Sequence, residues 1–256
     1  SISVGNRLSL QRDAIEATYL SKDPAIFDDQ YHGCEDEMET IITDGLLDKE
    51  LEINPHFKSA WEEATSKWKY DIKAKVQLTL PYGFKDEYGI AIVAYTGSIH
   101  SELTKAARAV GTSRSNYMNN FHFKSFHYYL TMALRKLMTV CSNRKVYRGV
   151  KKVHFMPPKK GDKLRFGQFT STSYNKRVAR NFGTASFFEI RTCYGVPIQR
   201  FSQYPYEEEV LLMGNEIFTV RKYNWRSHTF LLESARDIDS FFKCAYFEHI
   251  DLSYFW

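Results

Sequence analysis

The chain has 256 residues, 43% of them hydrophobic and 16% aromatic, with 25% charged. That composition supplies one good core and excludes a disordered chain, so residues 1–256 are read as a single domain. The formal charge is only +5 and there is no dense Lys/Arg stripe, which argues against a nucleic-acid partner; Lys159-Lys160 with Lys163 and Arg165 reads as a solvated loop and strand edge.

Residues 1–140 read as mainly helical. Tyr31, Cys34, Met38, Ile41 and Ile42 recur at helical spacing, as do Phe57, Trp61, Ala64 and Trp68. Gly89 to Tyr95 is a short apolar run that reads as a buried strand. Two more stripes follow, Leu103, Ala106, Ala107 and Val110, then Phe126, Leu130, Ala133, Leu134 and Leu137. His122 and His127 fall in this last aromatic helix and read as satisfied structural residues. The apolar runs are far too short to span a bilayer.

Residues 141–256 read as mainly β. Short β-branched and aromatic runs cover Lys145 to Val150, Leu164 to Thr170, Ser186 to Thr192, Glu209 to Met213, Ile217 to Lys222 and Thr229 to Glu233. A last run, Phe241 to Phe247, carries Cys244. Helices first and strands afterwards predict an α+β domain.

Cys34, Cys141, Cys193 and Cys244 are widely spaced, with no Cys-x-x-Cys pair, so no metal is expected. An even, dispersed set fits two disulfides in an oxidising compartment better than the alternative that composition leaves open, four buried free thiols in a cytosolic protein, and spacing alone leaves all three pairings open. The chain starts at Ser1 without an initiator Met or signal core, as a processed mature protein would, and shows no C-terminal lipid-anchor signal, so any anchoring tail is expected to be removed or never present.

No phosphate loop, His-Glu-x-x-His or Gly-x-Ser-x-Gly elbow occurs. Three polar features in the second half could do chemistry. Arg148, on an interior strand, must be paired or face a cleft, and its guanidinium fork suits a diphosphate. Ser171-Thr172-Ser173 follows the strand Phe166 to Phe169. Glu207-Glu208-Glu209 abuts the next strand, where a period of two points Glu207 and Glu209 the same way.

In this order, Arg148, Ser171 and Glu207-x-Glu209 resemble the Arg-Ser-Glu signature of the vertebrate extracellular arginine-specific mono-ADP-ribosyltransferases. The resemblance extends through Phe27-Asp28-Asp29-Gln30-Tyr31, Ala94-Tyr95-Thr96, Phe121-His122-Phe123-Lys124, Phe166-Gly167-Gln168-Phe169 and Thr192-Cys193. It implies an N-terminal helical layer beside two packed β-sheets with NAD in the cleft, and the disulfides Cys34–Cys244 and Cys141–Cys193. It also implies transfer of ADP-ribose from NAD, the co-substrate, to protein arginines or small guanidines. Arg148 would bind the diphosphate, Gly149 would let backbone approach the nicotinamide, and Phe182 would stack on its ring. Ser171 would hold Glu209, Glu209 would stabilise the cleaving ribose, and Glu207 would take the proton of the acceptor arginine. Tyr204 and Tyr206 would lie in a target-recognition loop. A secreted or cell-surface monomer is expected. The alternatives are an enzyme that mainly hydrolyses NAD and, in a different class, a non-catalytic surface protein.

Overall fold

The computed structural model describes residues 16–19, 25–156 and 159–247. Among the described residues, eight α-helices make the first layer: α1 (Glu35–Ile41), α2 (Leu47–Ile53), α3 (Pro55–Lys67), α4 (Lys73–Val76), α5 (Asp86–Tyr95), α6 (His100–Val110), α7 (Arg114–Asn120) and α8 (Lys124–Leu137). They form around one apolar core in which Phe57, Trp61, Phe126 and Leu130 meet, as their helical spacing predicts. Local chemistry fixes several ends. Asn54 caps α3, its side chain accepting from Phe57 N at 3.0 Å. The start of α8 has no cap of its own, and the buried Glu50 accepts from Lys124 N at 2.7 Å and Ser125 N at 2.8 Å instead.

The run Gly89 to Tyr95, expected as a strand, is the second half of α5, and Tyr88 to Tyr95 are all buried. A segment covered by neighbours on every side has no polar face to mark its period, so a helix and a strand look alike there. Gly89 admits the helix to its place, because a Cβ there would lie 2.5 Å from the Trp68 ring.

The strands are β1 (Glu16–Tyr19), β2 (Arg144–Val150), β3 (Val153–Met156), β4 (Lys163–Leu164), β5 (Thr170–Ser173), β6 (Ser186–Thr192), β7 (Val196–Pro197), β8 (Glu209–Leu212), β9 (Glu216–Asn224) and β10 (Thr229–Ile238), with α9 (Lys176–Asn181) between β5 and β6. β1 pairs with β3, and the others follow the order β4-β9-β10-β6-β2-β5-β8-β7. β2 and β5 share a single registered pair, Tyr147 with Ser173, so the order divides there into five strands and three. Side chains from both parts, among them Val146, Phe188, Phe230, Val210 and Leu212, meet in a second core, so the two implied sheets are here two parts of one eight-stranded sheet joined at that pair.

Three expected segments differ. Leu164 to Thr170 is strand only at its ends; between them Gly167 has φ +74° and donates to Gly214 O at 2.8 Å. Arg165 is not solvated: it is 7% exposed and ion-paired with Asp28. Phe241 to Phe247 forms no strand. Asp28 accepts from Phe241 N and Phe242 N, both at 3.1 Å through Oδ1, and Asp29 accepts from Ala245 N at 2.6 Å. Burial pushes Asp29 up to about 6.

Both implied disulfides form, Cys34–Cys244 across 210 residues and Cys141–Cys193 across 52. His127 is buried in α8 with Tyr31 Oη 2.6 Å from its Nδ1, and burial lowers it to about 3, so it is neutral. His122, expected in the same helix, sits in the turn before it.

Candidate active site

The crease between β2 and β5 opens a cleft of about 640 Å³, within the range of pockets that bury a cofactor-sized ligand. Its floor is β2 from Tyr147 to Val150, Ser171 to Ser173 of β5, and Glu209 at the start of β8. Its walls are the end of α5 with Tyr95 and Thr96, the face of α6 with His100, Thr104, Lys105 and Arg108, and Phe182 after α9. The structure therefore brings Arg148, Gly149, Ser171, Phe182, Glu207 and Glu209 together. Tyr204 and Tyr206 are not among the lining residues; they stand just before Glu207, 43% and 71% exposed, with ring centroids 6.1 Å apart.

Arg148 is half-buried on β2, and its Nη1 donates to Ser171 O at 2.9 Å. Burial pulls its guanidinium below the ordinary value, with Tyr95 and Glu209 acting against that pull. Glu209 is 6% exposed. Its carboxyl is pushed up to about 7, first by burial, while the Ser171 hydroxyl and Arg148 pull down and Glu207 pushes up. Glu207 is raised as well, by burial, with His100 opposing. The Tyr95 hydroxyl lies 3.4 Å from Ser171 Oγ and donates to Phe169 O at 3.4 Å.

The two glutamates reach the cleft by a different route from simple strand alternation. Pro205–Glu207 is a 3₁₀ turn, and Glu208 takes a left-handed conformation at φ +48°. That residue points out of the way, its Oε1 accepting from Asn175 Nδ2 at 3.2 Å, so the chain turns between Glu207 and Glu209. Ser173 Oγ locks the turn by donating to Glu207 O at 2.6 Å. On the other side Gln203 anchors the loop to the helical layer, its Nε2 donating to Val93 O at 3.0 Å.

Position 149 has room for no side chain beyond hydrogen. A Cβ there would sit 2.1 Å from Ala179 O and 2.3 Å from Gly183 O, so only glycine lets α9 close onto β2 and carry Phe182 to the cleft.

Several wall residues carried no role in the sequence: His100, Lys105, Arg108, and Tyr95, which stood within a family motif. The α6 stripe marks Leu103 and Val110 as core, but the polar face beside it acquires meaning only when the sheet arrives.

A protein-family model described as NAD:arginine ADP-ribosyltransferase matches residues 20–238. The chain belongs to this family. Its reaction is transfer of ADP-ribose from NAD, the co-substrate, to arginine. Among relatives, ecto-ADP-ribosyltransferase 5 of Bos taurus is 42% identical over 89% of this chain and 74% of its own length. GPI-linked NAD(P)(+)--arginine ADP-ribosyltransferase 1 of Oryctolagus cuniculus is 38% identical over 86% and 71%. A variant of the eukaryotic mono-ADP-ribosyltransferase ART2.2, solved in complex with NADH, is 37% identical, with a TM-score of 0.76 over 90% of this chain and 100% of that one. The two disulfides and the ecto- names of relatives fit an extracellular or cell-surface setting for this ADP-ribosyltransferase.

Proposed function

We propose that Glu209 and Glu207 divide the reaction between them, Glu209 governing cleavage of NAD and Glu207 delivering arginine. The observation that carries this reading is the unlike setting of two carboxylates in one cleft: Glu209 is buried beside Arg148 and Ser171, and Glu207 stands at the turn next to Tyr206.

Arg148 offers a fixed fork for the diphosphate. Phe182, 54% exposed, offers a ring face to the nicotinamide, and Gly149 keeps the backbone beneath it low. Nicotinamide leaves as a neutral molecule, so no general acid is needed. Positive charge builds on the ribose as the glycosidic bond lengthens, and ionised Glu209 stabilises it while accepting a hydrogen bond from the ribose hydroxyl. Ser171 holds that carboxylate in place, with the Tyr95 hydroxyl against Ser171. The acceptor guanidinium has a pKa above about 12 and is not nucleophilic until it loses a proton, which Glu207 accepts as attack begins. Tyr204 and Tyr206 present apolar faces to the protein that carries the arginine.

The enzyme acts as a single catalytic domain and a monomer, secreted or held at the cell surface, on arginine-bearing proteins and small guanidines. A second reading has water as the main acceptor, because the same Arg148, Ser171 and Glu209 suffice for NAD cleavage.

Labelled NAD incubated with and without agmatine separates the two readings, with ADP-ribosyl-agmatine and free ADP-ribose followed separately. Glu207→Gln is expected to lower agmatine transfer by about 10²-fold or more and to spare hydrolysis. Equal loss of both products would overturn the role of Glu207. Free ADP-ribose dominating in the wild type, with agmatine present, would favour the hydrolase.

A further inference from the structure

The sheet edge remote from the cleft gathers cations that the sequence scatters. β4 is the edge strand beside β9, and the turn before it is stitched to the same strand. Gly161 N donates to Val220 O at 2.8 Å, and Val220 N donates to Asp162 O at 2.9 Å. Lys163 lies opposite Thr219. One step further along β9 the register with β10 slips. Lys222 pairs with Leu231 and Val220 with Leu232, which leaves Arg221 as the extra residue of a bulge. The bulge breaks the in-and-out alternation, so Arg221 and Lys222 are both exposed.

Lys159, Lys160, Lys163, Arg221 and Lys222 therefore share one edge. Arg165, their neighbour in sequence, has left the group to pair with Asp28. The strip continues to the hairpin tip, where the Arg226 guanidinium lies 5.3 Å from the ring centroid of Trp225, itself 70% exposed. Two carboxylates stand nearby. Asp162 is spent on Lys159 N at 2.8 Å, and Glu233 on Arg221 Nε at 2.7 Å. The lysines remain as fixed positive charge on a backbone that cannot splay apart, an arrangement whose self-repulsion a bound polyanion relieves.

We propose that this edge binds an extended, sulfated polysaccharide. The cations run along a strand and not around a hollow, which suits a linear polyanion better than a small phosphate. Trp225 adds an exposed apolar face for the C–H side of a sugar ring. The extracellular setting supplies such chains. β4 lies four strands from β2 in the sheet order, about 20 Å at the usual strand spacing, so a bound chain leaves the cleft open. Its effect would be to hold the transferase near surface-bound targets without touching the chemistry.

Heparin is the probe, with affinity measured by titration at several salt concentrations and agmatine transfer measured in parallel. Wild type is expected to bind, more weakly as salt rises. The triple variant Lys159→Ala, Lys160→Ala, Lys163→Ala and the double variant Arg221→Ala, Lys222→Ala are each expected to lose about tenfold or more, with agmatine transfer unchanged. The control triple Lys49→Ala, Lys58→Ala, Lys69→Ala removes equal charge from exposed sites on the helical layer and is expected to keep the affinity. Equal loss in the control would overturn the proposal, because bulk charge alone would then explain binding. So would binding to phosphatidylserine vesicles without binding to heparin. Transfer to agmatine reports the enzymatic reading independently, so the two can fail separately.

Discussion

Glu209 is expected to cost the fold stability that the reaction requires. Its carboxyl is raised from an ordinary 4.5 to about 7, chiefly by burial, so the folded protein holds that proton more tightly than the unfolded chain does. A carboxyl shifted upward contributes its stability in full below the unfolded value, and loses it as pH rises through the folded one. Between pH 4.5 and about 7 the site passes from neutral and comfortable to ionised and desolvated. At about 1.4 kcal/mol for each pH unit, the full cost is about 3 kcal/mol. Glu209→Gln has no charge to desolvate. Relative to wild type it should gain stability progressively across that window and hold the gain above it. For a domain of this size that corresponds to a melting temperature about 6–12 °C higher near pH 8, with a much smaller difference near pH 4.5. Scanning calorimetry of both proteins across this pH range measures it. A gap that stays constant with pH, or a variant no more stable than wild type at pH 8, would refute the burial argument. The same variant should turn over neither NAD nor agmatine, which ties the lost stability to function.

Two further outcomes follow from packing and pairing. Asp28→Asn leaves Arg165, 7% exposed, without its counter-ion and weakens the hold on Phe241 and Phe242; breaking such a pair costs about 3–5 kcal/mol, read as a fall in melting temperature at pH 7. Adding Arg165→Met to it should restore part of the loss, and a double variant no better than the single one would count against the account. Gly149→Ala must displace backbone oxygens of Ala179 and Gly183, so it should pry α9 from β2 and raise KM for NAD far more than a substitution at exposed Arg177; an unchanged KM would show that the cleft does not depend on that contact.

Much of the β half was legible because its strands alternate. Ser186 to Thr192 is read with its observed ends, since Phe188 and Ile190 face a core while Glu189 and Arg191 do not. The helical stripes of α3 and α8 were legible for the same reason at the longer period. The ordered series Arg148, Ser171 and Glu207-x-Glu209 marked residues that line the cleft. Periodicity could not see α5, where burial on every side erases the pattern, nor the irregular path from Arg165 to Phe169, which depends on two glycines meeting backbone to backbone.

Other features belong to the tertiary structure alone. Asp28 and Asp29 read as an acidic pair in a family motif; folding makes them the anchor of a segment more than two hundred residues away, because their partners in that segment are backbone N–H groups with no sequence signal. Arg165 looked like part of a solvated basic run until Asp28 reached it, while Arg221 and Lys222 joined that run across the β4–β9 edge. Glu207 and Glu209 reach the cleft together through a left-handed Glu208 that no alternation rule anticipates. Sequence determined which residues could do the chemistry, since side-chain type is local. Folding decided which of them share a desolvated cleft, since burial and charge proximity are set by elements far apart in the chain.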